Sequence, residues 1–140
     1  MEFHYEVSGN DFARAGLASS EIKKTLQRLG LPHEVIKRVA VAMYEAEINM
    51  VVHAGGGVAD VRIDKELITI VMCDKGPGIE DLSKAMEDGY STASEQVREL
   101  GFGAGMGMSN MKKNADEMYI DTAKGKGTCV TLKIRIPEHS

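Results

Sequence analysis

Val41-Ala42-Met43-Tyr44-Glu45-Ala46-Glu47-Ile48-Asn49-Met50-Val51-Val52-His53-Ala54-Gly55-Gly56-Gly57 is the stretch on which the fold turns. Together with the residues before it, it places Val35, Val39, Met43, Ala46 and Met50 at helical spacing on one face. Pro32 is preset for the start of a helix, and the glycines after Ala54 stop it sharply. A helix over 33–53 follows. On it Glu45 and Asn49 stand four residues apart and share a face, in a row that continues to Ala42 and His53 and lies off the core stripe. An amide oxygen is a hard ligand suited to Mg²⁺, and a carboxylate beside it can orient or deprotonate a nucleophile. Taken alone, the pair equally fits a solvated helix face. Glu47 is turned to another side by the rotation of about 100° per residue.

Outward from this helix the chain alternates between the two periodicities. Phe3 to Val7 reads as a short strand, and a helix capped by Asn10 or Asp11 runs to Leu29, with Gly30 ending it. Its apolar row is Phe12, Ala15, Ile22, Leu26 and Leu29. After the glycines come strands at Val58–Ile63 and Leu67–Cys73, joined by a tight turn at Asp64-Lys65-Glu66. A short helix is expected over 81–87, then a long glycine-containing segment, then a helix from Met106 to Asn114. Strands at Met118–Thr122 and Thr128–Ile136 close the chain. This order predicts one α+β domain over 1–140, a two-layer α/β sandwich with helices on one face of a mixed, mostly antiparallel sheet.

Two glycine clusters carry the chemistry. Asp74-Lys75-Gly76-Pro77-Gly78 follows an apolar strand, where an isolated carboxylate needs a partner. The exocyclic amine of adenine is one, and Gly76 and Gly78 let a flat ligand approach the backbone. A strand-ending turn fits the same residues. Gly101-Phe102-Gly103-Ala104-Gly105-Met106-Gly107 leads into a helix, whose first N–H groups form an anion site. A hinge is the other reading, and the two are compatible. The run is not a dinucleotide fingerprint, because no first strand precedes it and no βαβ unit surrounds it. Gly127-Thr128 begins the last strand, where a hydroxyl could share the adenine amine with Asp74.

The 140 residues are 43% apolar and 27% charged, with no apolar run long enough to span a membrane. No basic and apolar leader opens the chain, so a cytoplasmic location is expected. The net charge of −4 argues against direct nucleic-acid binding. Lys112 and Lys113 read as a solvated helix face. Cys73 and Cys129, each in an apolar β-branched run, are expected as buried, reduced strand thiols.

Taken in order, these elements resemble the Bergerat ATP-binding fold of gyrase, histidine kinases and MutL. Glu45 to Asn49 matches its Glu-x-x-x-Asn helix and Asp74 to Gly78 its Asp-x-Gly-x-Gly box. Gly105-Met106-Gly107 matches the end of its glycine-rich lid, and Gly127-Thr128 its final box. Within 140 residues neither a transducer domain nor an acceptor-histidine hairpin is expected, which narrows the likeness to the anti-sigma factor and switch-kinase group of RsbW, SpoIIAB and RsbT. The RsbT type is the nearest, through Asp74 to Ile79, Met86-Glu87-Asp88-Gly89-Tyr90-Ser91-Thr92 and Gly125 to Thr128. The stretch 93–100 and the segment Gly107-Met108-Ser109-Asn110-Met111 depart from that type.

The resemblance implies ATP and Mg²⁺ as cofactors and a lid at about 79–107. It assigns Mg²⁺ to Asn49 and general-base catalysis to Glu45, with Asp74 and Thr128 on the adenine. Gly76, Gly78 and Ile79 would line the base, and Gly103, Ala104, Gly105, Met106, Gly107 and Met108 would meet the phosphates. The implied activity is phosphorylation of a serine or threonine on a STAS-domain antagonist. A sigma factor, a phosphatase and a second copy of the chain are further partners it admits. A non-catalytic, nucleotide-gated binding module is the competing expectation, and a free ATPase or histidine-kinase fragment a third.

Overall fold

The computed structural model of the chain describes residues 1–9, 12–76, 107–123 and 127–137. Five strands, β1 (Glu2–Ser8), β2 (Gly56–Ile63), β3 (Leu67–Asp74), β4 (Glu117–Ala123) and β5 (Gly127–Arg135), form one sheet in the order β1-β2-β3-β5-β4. The sheet expected to be mixed and mostly antiparallel is antiparallel at each of its four ladders. Strand alternation turns Ile68, Ile70 and Met72 of β3, and Val130, Leu132 and Ile134 of β5, toward one buried face. The helices α1 (Leu17–Arg28), α2 (His33–His53) and α3 (Gly107–Asn114) cover that face and share its core through Ile22, Leu26, Val39, Met43 and Met111.

Helix α2 spans the residues its periodicity predicts. It lies between α1 and α3, and Ala42 belongs to the core rather than to an outer row. Near the start of α2, Arg38 reaches Asp116 at 3.2 Å, and Asp116 Oδ2 also accepts the Arg135 N–H at 2.7 Å. These bonds tie the helix to the β4–β5 end of the sheet and hold the Asp116 carboxyl below its ordinary value, the Arg135 N–H contributing most. The 64–66 turn forms as expected: Asp64 Oδ1 accepts the N–H groups of Glu66 and Leu67 at 2.9 and 2.8 Å.

Helix α1 departs from expectation. Asn10 and Asp11, its expected caps, lie outside the described residues. A single 3₁₀ turn at Phe12–Arg14 comes first, and the α-helix begins at Leu17 behind Gly16, whose φ is 92°. Its first N–H groups are held from α2. Glu47, only 2% exposed, accepts the N–H of Gly16 (3.0 Å) and Ala18 (3.1 Å) through Oε2 and that of Ser19 (2.9 Å) through Oε1. A carboxylate from a neighbouring helix thus does what a local cap would do, and its negative charge suits a helix N-terminus. At the other end Gly30 terminates α1 as predicted, with φ 72°. Leu29 has turned outward and is exposed.

Candidate functional site

The end of β3 sets the first half of the site. Beyond the rung Cys73–Cys129 the β3–β5 ladder stops, and Asp74 takes over the cross-strand link. Its Oδ1 accepts the Gly76 N–H at 2.9 Å and the Thr128 N–H at 3.1 Å. No donor among the described residues meets Oδ2. The Thr128 hydroxyl lies 2.8 Å from that of Thr122, on the register partner in β4. A half-buried carboxylate oxygen and a paired hydroxyl therefore share this end of the sheet, which fits an amine with an adjacent acceptor, as on the edge of adenine.

The glycines here are dictated by close backbone packing. A Cβ on Gly76 would lie 2.6 Å from the Cα and Cβ of Ala54, the residue that ends α2. Gly127 has φ 85°, and a Cβ there would strike the Asp74 carbonyl. The absence of side chains lets the C-terminus of α2, the β3 end and the β5 start converge, so the box comes to lie against the helix that carries Glu45 and Asn49.

The second half lies between α2 and α3. Glu45 is half-buried, and its Oε1 accepts a hydrogen bond from Asn110 Nδ2 at 3.2 Å. Asn110 is held on α3, where its carbonyl accepts the Asn114 side-chain amide at 2.9 Å. Asn49, one turn further along α2, is half-buried, and no described residue hydrogen-bonds its amide. Tyr44, the residue before Glu45, lies with its ring beside Gly16 at the start of α1, and its phenol pKa is raised, by burial first and then by the Glu45 and Glu47 carboxylates. Among the described residues no group of three His, Cys, Asp or Glu side chains could hold a metal. A single amide ligand is compatible with Mg²⁺, which keeps several waters and takes most of its other ligands from phosphates.

Gly78, Ile79, Gly103, Ala104, Gly105 and Met106 lie outside the described residues, as do the 81–87 helix and the lid segment before Gly107. Gly107 and Met108 form the first turn of α3. Sequence reasoning missed Asn110 and Glu47. Asn110 stands in the segment that departs from the RsbT pattern and carries no local mark of its use. Glu47 did leave a signal, because it falls four residues after Met43 and three before Met50, on the buried stripe. Cys73 and Cys129 lie in strands as expected, but they are half-buried rather than buried, and register sets them opposite each other in a disulfide rather than as free thiols.

Residues 10–134 match the histidine kinase-like ATPase domain family. Over 140 residues the chain is 33% identical to the anti-sigma F factor of Clostridium acetobutylicum, covering 95% of this chain and 90% of that protein. The anti-sigma F factor of Caldanaerobacter subterraneus subsp. tengcongensis is 36% identical over 94% of this chain and 89% of its own length. The chain belongs to the histidine kinase-like ATPase family, in its anti-sigma factor and switch-kinase group. As a domain of this family it binds ATP. Its fold also matches that of the RsbU and RsbW domains of Rv1364c from Mycobacterium tuberculosis, with a TM-score of 0.66 at 16% identity. That alignment covers all of this chain and 34% of the larger one. The mycobacterial sensor histidine kinase MprB has a TM-score of 0.56 at 15% identity. No helix among the described residues is long and apolar enough to cross a membrane.

Proposed function

We propose that this protein is an ATP-dependent protein serine/threonine kinase of the switch type, which phosphorylates a STAS-domain antagonist and so regulates transcription by partner switching. The observation that carries the proposal is Glu45. A carboxylate on the ATP-site helix, half-buried and oriented by Asn110 from α3, is what a general base acting on an incoming hydroxyl requires. ATP, bound with Mg²⁺, supplies the phosphoryl group and the charge neutralisation on which phosphoryl transfer depends. Asp74 and Thr128 hold the adenine edge, Asn49 is the Mg²⁺ ligand, and Gly76 shapes the wall beside the base. Gly78, Ile79 and the residues from Gly103 to Met108 complete the nucleotide contacts. Kinship with anti-sigma F factors supports a sigma factor as a second partner.

The test is transfer from labelled ATP with Mg²⁺ to the STAS-domain proteins of the same organism. The kinase reading expects a phosphorylated partner serine or threonine, lost in Glu45→Ala while nucleotide affinity is kept. Tight nucleotide binding without transfer would refute it. Unaltered partner regulation by Glu45→Ala would instead favour a nucleotide-gated anti-sigma module without kinase activity.

A further inference from the structure

We propose that Cys73 and Cys129 form a reversible thiol–disulfide site whose oxidation state sets nucleotide affinity. The proposal rests on ATP binding at the Asp74–Thr128 end of the sheet. The sequence holds two cysteines, and they meet across neighbouring strands although 56 residues separate them. Alternation turns both sulfurs to the face of the sheet that the helices leave uncovered. Asp74 and Thr128, one residue away along each strand, belong to the opposite side. Both cysteines are half-buried, so a small thiol or disulfide can reach them.

Position separates this bridge from an ordinary structural crosslink. Cys73–Cys129 is the last rung of the β3–β5 ladder on the side of the site. Past it, the described link between these strands is the Asp74 carboxylate accepting the Thr128 N–H. The rest of the ladder, from Leu67–Arg135 inward, is held by its own pairing and by a buried core. Opening the bridge therefore leaves the fold intact and loosens the one end of the ladder that positions Asp74 and Thr128. In the oxidised protein that end is clamped and the acceptor and hydroxyl are pre-organised. In the reduced protein they are not.

A low-molecular-weight disulfide is the oxidant. One cysteine thiolate attacks it and expels one small thiolate, leaving a mixed disulfide. The second cysteine thiolate attacks the cysteine sulfur of that bond and expels the other small thiolate. Two protein thiols are oxidised to one disulfide, and one small disulfide is reduced to two thiols.

The experiment measures the Kd of a fluorescent ADP analogue for the full chain after glutathione disulfide and after dithiothreitol, with mass spectrometry counting the two hydrogens. Reduction is expected to weaken binding about fivefold, the value of one hydrogen bond of ordinary strength. The Cys73→Ala/Cys129→Ala variant should bind like the reduced protein and ignore both reagents, with a folded circular dichroism spectrum. Equal affinity in the two wild-type states overturns the proposal, as does failure of glutathione disulfide to crosslink the thiols. Absence of binding in both states is a different result, which removes the ATP reading and this proposal with it.

Discussion

Glu47 offers the sharpest test of the packing, because its partners are backbone N–H groups at a helix start, which have no intrahelical acceptor. Truncation to alanine strips the acceptor from three N–H groups, two of them, at Ala18 and Ser19, fully buried. A buried donor left unsatisfied costs about 2 kcal/mol, so those two together cost about 4 kcal/mol. The Gly16 N–H is only partly buried and can turn to water. For a domain of this size, about 4 kcal/mol corresponds to a fall in Tm of about 12 °C and removes a large share of a typical stability. Glu47→Gln keeps the shape and one acceptor oxygen while pointing an amine at a donor, and should lose about 2 kcal/mol. Equilibrium urea unfolding followed by circular dichroism measures both. Hydrogen exchange locates the damage, with the Ala18 and Ser19 amides losing protection before those of the α2 interior. A loss below about 1 kcal/mol for Glu47→Ala would refute the claim that this carboxylate holds the start of α1.

Asn110→Ala removes the group that orients Glu45. Under the kinase reading it should slow phosphotransfer about tenfold, one hydrogen bond's worth of positioning, with nucleotide Kd unchanged by titration. Gly76→Ala drives a methyl group into Ala54 and should destabilise the protein by about 2 kcal/mol in chemical denaturation, with nucleotide binding weakened alongside. Asp116 governs part of the acid limb of stability. Its folded pKa lies below the ordinary 3.8, so the stability it confers is present above that value and lost as pH falls through the folded one. Asp116→Asn should therefore be less stable near neutrality and show a flatter decline below about pH 4 in pH-dependent thermal melts.

Local pattern accounts for what was legible in the sequence. The limits of α2 followed from Pro32, the spacing of Val35, Val39 and Met43, and the glycines after Ala54, because each acts within a turn or two of its own position. The strands followed from alternation, and the 64–66 turn from an aspartate that bonds to its own backbone. The position of Glu45 and Asn49 one turn apart on α2 and the placement of Asp74 at a strand end were likewise readable. The start of α1 was not, since local caps compete with any acceptor that tertiary packing brings near, and Glu47 arrives from 28–31 residues away.

The same distinction runs through the site. The boxes that resemble a Bergerat-type nucleotide site were visible one by one, because each is short and local. Which residues meet was settled by packing: Asn110 on Glu45, Asp74 on the Thr128 N–H, Ala54 against Gly76, and Cys73 on Cys129. These contacts join positions 22 to 65 residues apart. They depend on strand register and helix placement, which the whole hydrophobic core fixes at once and which no single segment encodes.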